Sequence, residues 1–331
     1  MITNSQLEEL ADRLLLKIRT QSSKLFEFTA LSKSLKASPD EIAAAIAQLN
    51  QWGYSLETDN RGVKFISAPD SVIATEIGYG LKTKFIGHHV HCYQSVKSTN
   101  DIAVRLAESG APDGTIVTAE QQTGGRGRFG RVWHSPPGCG VYLSVILRPV
   151  LHPEQAPGLS IMTALALAET LSEDLPGKVQ IKWPNDVLIS GKKTAGILTE
   201  LAADHKKISY VVVGVGININ HTSEDFPKEL KPIATSVRIG LRKKCDRVAL
   251  LQRFLVALEK EYRQYRTSLL KNSHQKIRMY SSLIGSEVLL KSGRRQIIGK
   301  VADIDGNGAL MLEVDGKVQA VTSGEVTVMN R

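Results

Sequence analysis

The chain has 331 residues, 42% of them hydrophobic, and a formal net charge of +9. That length predicts two or three domains around a sizeable core, and no apolar run approaches the roughly 20 residues of a membrane span. Three cysteines, Cys92, Cys139 and Cys245, are odd in number and far apart, which excludes a disulfide framework or a CxxC metal clamp and fits a reducing cytoplasm. The first ten residues are polar and acidic and are not expected to act as a signal peptide. The positive charge favours anionic partners such as nucleotide, nucleic acid or an acidic protein.

Residues 1–67 read as a winged helix-turn-helix. Ser5-Gln6-Leu7-Glu8 fits a capping box, and Leu7, Leu10, Leu14 and Ile18 form a helical stripe. A short helix is predicted over 30–36. Ser38-Pro39-Asp40-Glu41 is a strong helix start, after which Ile42, Ile46 and Leu49 face inward. Residues 54–57 and 63–66 flank Asp59-Asn60-Arg61-Gly62 as a β-hairpin wing. The third helix exposes Asp40, Glu41, Ala43, Ala44, Ala47 and Gln48 and contains no lysine or arginine. Two readings therefore stand. Lys33, Lys36, Arg61 and Lys64 hold DNA phosphates around it, or the module only packs or regulates.

Residues 68–83 read as a connector with a short helix. From 84 to 275 an α+β domain is expected, with a mixed, largely antiparallel sheet. Its predicted strands are 89–93, 115–120, 140–147, 180–183, 187–189, 193–201 and 209–220, and its helices 98–108 and 160–174. A charged helix follows over 247–271. Residues 276–331 read as a separate small β-barrel with strands at 287–291, 296–303, 308–314 and 317–322.

Four motifs carry chemistry. In Gly124-Gly125-Arg126-Gly127-Arg128-Phe129-Gly130-Arg131, with Trp133 beyond, glycine permits close backbone approach and arginine offers a fork of donors for phosphate or carboxylate. The formal GxGxxG within it is no dinucleotide fingerprint, because Arg131-Val132-Trp133-His134-Ser135-Pro136-Pro137 cannot open a helix. Lys182-Trp183-Pro184-Asn185-Asp186 ends a strand and frees Asn185 and Asp186 from the core, with Asp186 suited to Mg²⁺ or to orienting a phosphate-bound water. Lys193 opens the next strand, placed to meet developing negative charge. Gly214-Val215-Gly216-Ile217-Asn218 puts glycines inside an apolar strand, the mark of a close approach. Ser98-Thr99-Asn100 starts a helix, where small polar groups and unpaired N–H groups bind carbonyls or carboxylates. The cluster His88, His89, His91 and Cys92 has no second half to complete a metal site.

Taken in order, Ser98-Thr99-Asn100, Gln121-Gln122, Gly125 to Arg131 with Trp133, Lys182 to Asp186, Lys193 with Ala195-Gly196-Ile197-Leu198, and Gly214 to Asn218 resemble the biotin protein ligases, over nearly the whole chain. The resemblance implies an N-terminal winged helix, a class II synthetase-like catalytic domain and a C-terminal SH3-like barrel, the arrangement of the bifunctional bacterial members. It implies ATP-dependent formation of biotinyl-5′-adenylate with Mg²⁺, then transfer of biotin to a lysine of the biotin carboxyl carrier domain of acetyl-CoA carboxylase. Ser98, Thr99, Asn100 and Gln122 would bind biotin, with Arg126, Gly127 and Arg128 over biotin and adenylate and Lys193 by the reacting carboxyl group. Gly125, Arg131, Trp133, Asn185 and Asn218 would belong to the nucleotide side, and Asp186 to Mg²⁺. Operator DNA binding and a homodimer in the adenylate-bound state are further expectations. Phe129 stands where members often have a second basic residue. A lipoate ligase and a biotin-responsive transcription factor without ligase activity are the competing readings.

Overall fold

The computed structural model describes residues 4–21, 24–204, 207–293 and 295–329, and the chain divides into two compact units, Met1–Asp70 and Ser71–Arg331. In the first unit, helices α1 (Asn4–Arg19), α2 (Phe28–Leu35) and α3 (Pro39–Gln51) accompany strands β1 (Phe26–Glu27), β2 (Ser55–Thr58) and β3 (Gly62–Ser67). Leu10, Leu14 and Ile18 of α1 are buried with Leu31, Ile42, Ile46 and Leu49, so the apolar stripes meet in one core. The side chain of Ser5, the expected N-cap of α1, lies outside the described residues. At α3, Ser38 Oγ accepts the Glu41 N–H at 3.3 Å and the Glu41 carboxylate accepts the Ser38 N–H at 2.7 Å. This reciprocal pair satisfies two otherwise orphaned donors, and the bonds to Ser38 hold the Glu41 carboxyl below its ordinary range. The strands form an antiparallel sheet ordered β1-β3-β2. Two-residue β1 carries no sequence signal of its own, yet a Cβ at Gly62 would lie 2.1 Å from the Phe26 carbonyl oxygen, so this pairing requires glycine there.

The second unit opens with α4 (Ala74–Gly78) and a seven-stranded sheet of β4 (Val90–Val96), β5 (Ile116–Gln122), β6 (Gly140–Leu147), β7 (Val179–Lys182), β8 (Asp186–Ile189), β9 (Lys192–Ala203) and β10 (Ile208–Asn218). Their order is β4-β5-β6-β10-β9-β8-β7, with β4 and β5 parallel and every other pair antiparallel. Helix α5 (Thr99–Glu108) follows β4, while α6 (Pro157–Ser172) and α8 (Arg247–Ser268) pack together over the core. α6 is buried nearly all round, which suits a helix held between a sheet and another helix. The short helices α7 (Val237–Leu241) and α9 (His274–Tyr280) lack the length that periodicity detects. No described helix is long and apolar enough to cross a membrane.

Residues 71–83, read from sequence as a connector, pack into this second unit. Val72 and Ile77 are buried in its core, and the carboxylate of Glu120 accepts the Val72 N–H at 2.9 Å and the Ser71 hydroxyl at 3.0 Å. The same carboxylate pairs with buried Arg247 at 2.8 Å. The C-terminal β domain is a five-stranded sheet ordered β14-β13-β12-β11-β15, from β11 (Glu287–Ser292), β12 (Arg295–Ile304), β13 (Leu310–Val314), β14 (Lys317–Val321) and β15 (Glu325–Val328). Val288, Leu290, Val301, Leu310 and Leu312 join the central core, and the Trp183 indole donates to the Gly308 carbonyl at 2.9 Å. β15 is absent from the sequence reading; its four residues become a strand by pairing with β11.

Candidate functional site

The sheet's turns and one loop build a single cavity of about 570 Å³ in the second unit. β5 ends at Gln122, β6 begins at Gly140, and the glycine–arginine segment lies between them. It is an ordered small hairpin rather than a slack linker: Arg126 bridges Val132, the Gly127 N–H donates to the Arg131 carbonyl at 2.7 Å, and the Trp133 N–H to the Gly125 carbonyl at 2.9 Å. Its tip turns through Phe129 and Gly130, with φ of 57° and 73°; the left-handed region suits the glycine and strains the phenylalanine. Arg128 stacks its guanidinium 4.9 Å from the Phe129 ring centre.

Arg126, Arg128 and Lys193 all line this one cavity. Their electrostatic settings differ. Arg126 makes a bidentate pair with Asp101, at 3.0 and 2.5 Å. Arg128 is half-buried and has no carboxylate in ion-pair range among the described residues; its Nη1 donates to the Gly324 carbonyl at 3.2 Å and to Asn185 Oδ1 at 3.4 Å. Burial pulls its pKa down. Arg131 pairs with Glu325 of β15. Lys193 Nζ stands 2.6 Å from Asp186 Oδ1 and 5.4 Å from the Trp133 ring centre. Asp186 Oδ1 is buried and accepts no bond in hydrogen-bonding geometry, so its link to Lys193 is a charge contact rather than a directed bond. A bulge near Thr194 sets Lys193 opposite Leu188 and Ala195 opposite Val187, the irregularity by which strands re-aim a side chain.

Ser98, Asn100 and Gln122 line the same cavity. Gln122 Oε1 accepts the Thr99 N–H at 2.9 Å, and Asn100 Oδ1 accepts the Ser144 hydroxyl at 2.6 Å. The strand glycines explain how these groups fit. A Cβ at Gly214 would sit 2.2 Å from Asn100 Oδ1, and one at Gly216 would sit 2.3 Å from Trp133 Nε1. Two glycines on β10 thus let one polar and one aromatic side chain approach the strand backbone closely. Trp133 Nε1 is buried without a hydrogen-bond partner. Asn185 and Asn218 also line the cavity and donate inward, to the Ile197 carbonyl at 2.7 Å and the Thr235 carbonyl at 3.1 Å.

Of the residues assigned from sequence to biotin, nucleotide or Mg²⁺, Thr99 and Gly125 are not brought to the cavity lining. Thr99 is buried behind it, its hydroxyl 3.1 Å from Gln122 Oε1 and 2.8 Å from Ser144 Oγ. Gly125 is pressed against the Trp133 carbonyl and Ser135. Sequence reasoning missed Phe226, Leu230 and residues 232–234, and the β15 edge at Gly324–Thr327. Neither stretch carries a polar motif, and the second begins 90 residues beyond Ala234, the nearest other wall residue in the chain. Lys33, Lys36, Arg61 and Lys64 belong to the first unit, where Arg61 pairs with Asp59 at 2.9 Å and Lys64 with Glu57 at 3.6 Å.

This architecture defines a ligase class. The model of the biotin/lipoate A/B protein ligase family matches residues 92–218, and that of the biotin protein ligase C-terminal domain matches 283–329. The bifunctional ligase/repressor BirA of Bacillus subtilis is 38% identical over 297 residues, covering 89% of this chain and 91% of that one. The biotin–[acetyl-CoA-carboxylase] ligase of Mycobacterium tuberculosis is 37% identical, covering 69% and 85%. The structure of the biotin protein ligase from Aquifex aeolicus in complex with biotin and ATP aligns with a TM-score of 0.63 at 30% identity, over 74% of this chain and all of that one. The chain belongs to the biotin protein ligase family.

Proposed function

We propose that the cavity joins biotin to ATP and passes the resulting acyl group to a lysine of a biotin carboxyl carrier domain, as in acetyl-CoA carboxylase. The observation that carries this reading is the convergence of Arg126, Arg128 and Lys193 on one cavity. A carboxylate and a triphosphate repel each other, and fixed cations in a partly desolvated pocket offset that repulsion without reorganising during reaction. In the first step a biotin carboxylate oxygen bonds to the α-phosphorus and pyrophosphate leaves. In the second a lysine amine attacks the acyl carbon, AMP leaves and the amine gives up a proton.

In this reading Ser98, Asn100 and Gln122 hold biotin, with Thr99 fixing Gln122 from behind. Lys193 stands at the carboxyl end and Arg128 at the phosphate, while Gly125, Gly127 and the rest of the loop cover the adenylate and exclude water. Trp133, Arg131, Asn185 and Asn218 border the nucleotide side. Asp186 would hold Mg²⁺ through Oδ1, which is buried with no directed hydrogen bond, and the ion would there share or replace the charge contact with Lys193 at 2.6 Å. When bound, the ion would offset triphosphate charge. Incubation with ATP, labelled biotin and a carrier domain tests the reading. Label on one carrier lysine supports it; lipoate accepted in place of biotin, or no label, refutes it.

The domain reading is a winged helix-turn-helix over 1–67, a class II synthetase-like domain over 84–275 and an SH3-like domain over 276–331. The three-helix unit with its antiparallel wing supports a second role, repression at operator DNA, through Lys33, Lys36, Arg61 and Lys64. A cytoplasmic location and a homodimer formed with adenylate belong to the same reading, and light scattering with and without biotin and ATP tests the dimer.

A further inference from the structure

Two carboxylates outside the assigned machinery converge on the glycine–arginine loop. Asp101 lies in the first turn of α5 and holds Arg126 through both guanidinium Nη atoms. Glu200, on β9, places one carboxylate oxygen 3.7 Å from Arg126 Nη2 and accepts the Asn100 amide with the other at 2.6 Å. Glu200 therefore ties the loop to the wall residue that Gly214 admits. We propose that Asp101 and Glu200 are positioning residues that clasp Arg126 and hold the loop over the cavity, leaving Arg128 as the loop cation that meets substrate charge. This rests on the ligase reading.

Charge and geometry support the division of labour. Two carboxylates face one guanidinium at Arg126, so its donors are largely engaged before any phosphate arrives. The bond from Arg126 holds the Asp101 carboxyl below its usual range, and the same bond strengthens the guanidinium's hold on its proton. Arg128, two residues on, is the converse: it is more deeply buried, and its strongest partners are a backbone carbonyl and an amide oxygen. A desolvated guanidinium so placed gains most from an arriving anion. Bidentate arginine–carboxylate pairing also fixes orientation as well as charge, which is what a loop anchor requires. The loop's far side is fastened separately, by Arg131 to Glu325.

The experiment has two arms on the full-length protein. In the unliganded protein, trypsin nicking within 126–131 should rise about fivefold for Asp101→Asn and less for Glu200→Gln, the size expected of a partly exposed bidentate pair. Asp101→Glu should restore protection. In the liganded enzyme, escape of labelled adenylate onto lysines of a bystander protein should rise by a similar factor for Asp101→Asn and for Arg126→Gln, and the double variant should leak no faster than either single one. Unchanged nicking and leakage in Asp101→Asn, or a raised KM for ATP in Arg126→Gln alone with additive leakage, would overturn the clasp. An unaltered enzyme that makes no adenylate would instead overturn the ligase reading, and the trypsin arm would still decide the clasp.

Discussion

The two compact units use positive charge in different ways. In the first, Arg61 and Lys64 are paired along their own hairpin with Asp59 and Glu57, and α3 presents no cation. In the second, residues from a loop, two strand ends and the C-terminal sheet bring Arg126, Arg128, Arg131 and Lys193 to one cavity. The net charge of +9 belongs to the second unit, since the first has eight Lys and Arg against nine Asp and Glu. Convergence on a concave, partly desolvated surface separates a reaction site from a basic exterior, because a charge is worth more where water is excluded.

The comparison is most directly broken at Lys193. Lys193→Ala should lower ATP–pyrophosphate exchange with biotin by about 10²–10³-fold, the usual loss for one preorganised charge, while leaving operator binding unchanged in a gel-shift assay. Gly216→Val should come next. A Cβ there meets the Trp133 indole at 2.3 Å, so biotin or nucleotide affinity measured by calorimetry should fall, by about tenfold for an overpacking cost of roughly 1–3 kcal/mol.

Arg128→Gly removes the loop cation that lacks a carboxylate partner, and adenylate trapped in rapid dilution should leave about tenfold faster; release no faster than from the unaltered enzyme would contradict this. Neutralising Lys33, Lys36, Arg61 and Lys64 together tests the first unit. The salt dependence of operator binding should flatten, by about one unit of slope for each lost phosphate contact, with carrier biotinylation unaltered. The smallest effect belongs to Ser38→Ala, which removes the cap of α3 and should lower the first unit's stability by about 1 kcal/mol in chemical denaturation, without touching ligation.

Much of this molecule is legible in its sequence, and the reasons are local. Ser38 to Glu41 announces a helix start because its hydrogen bonds close within four residues. Gly140–Leu147 reads as a strand because all eight residues are buried on both faces. Gly214 and Gly216 stand out because strands rarely keep glycine without a close neighbour. What remained hidden depends on partners far along the chain. β15 exists through pairing with β11, and Phe226 and Leu230 become cavity walls through the loop that follows β10. Asp101 and Glu200 look like ordinary surface carboxylates until Arg126 is seen between them.

The sequence alone determined the kinds of groups available: mobile-backbone glycines beside forked cations, a proline-ended strand, a helix start rich in small polar side chains. These follow from covalent structure and short-range hydrogen bonding. Only the tertiary structure decided which cation is already matched and which is left facing the cavity, since Arg126 and Arg128 differ by two positions in the chain but by their carboxylate neighbours in space. Electrostatic role is set by distance and burial, and neither is a property of sequence order.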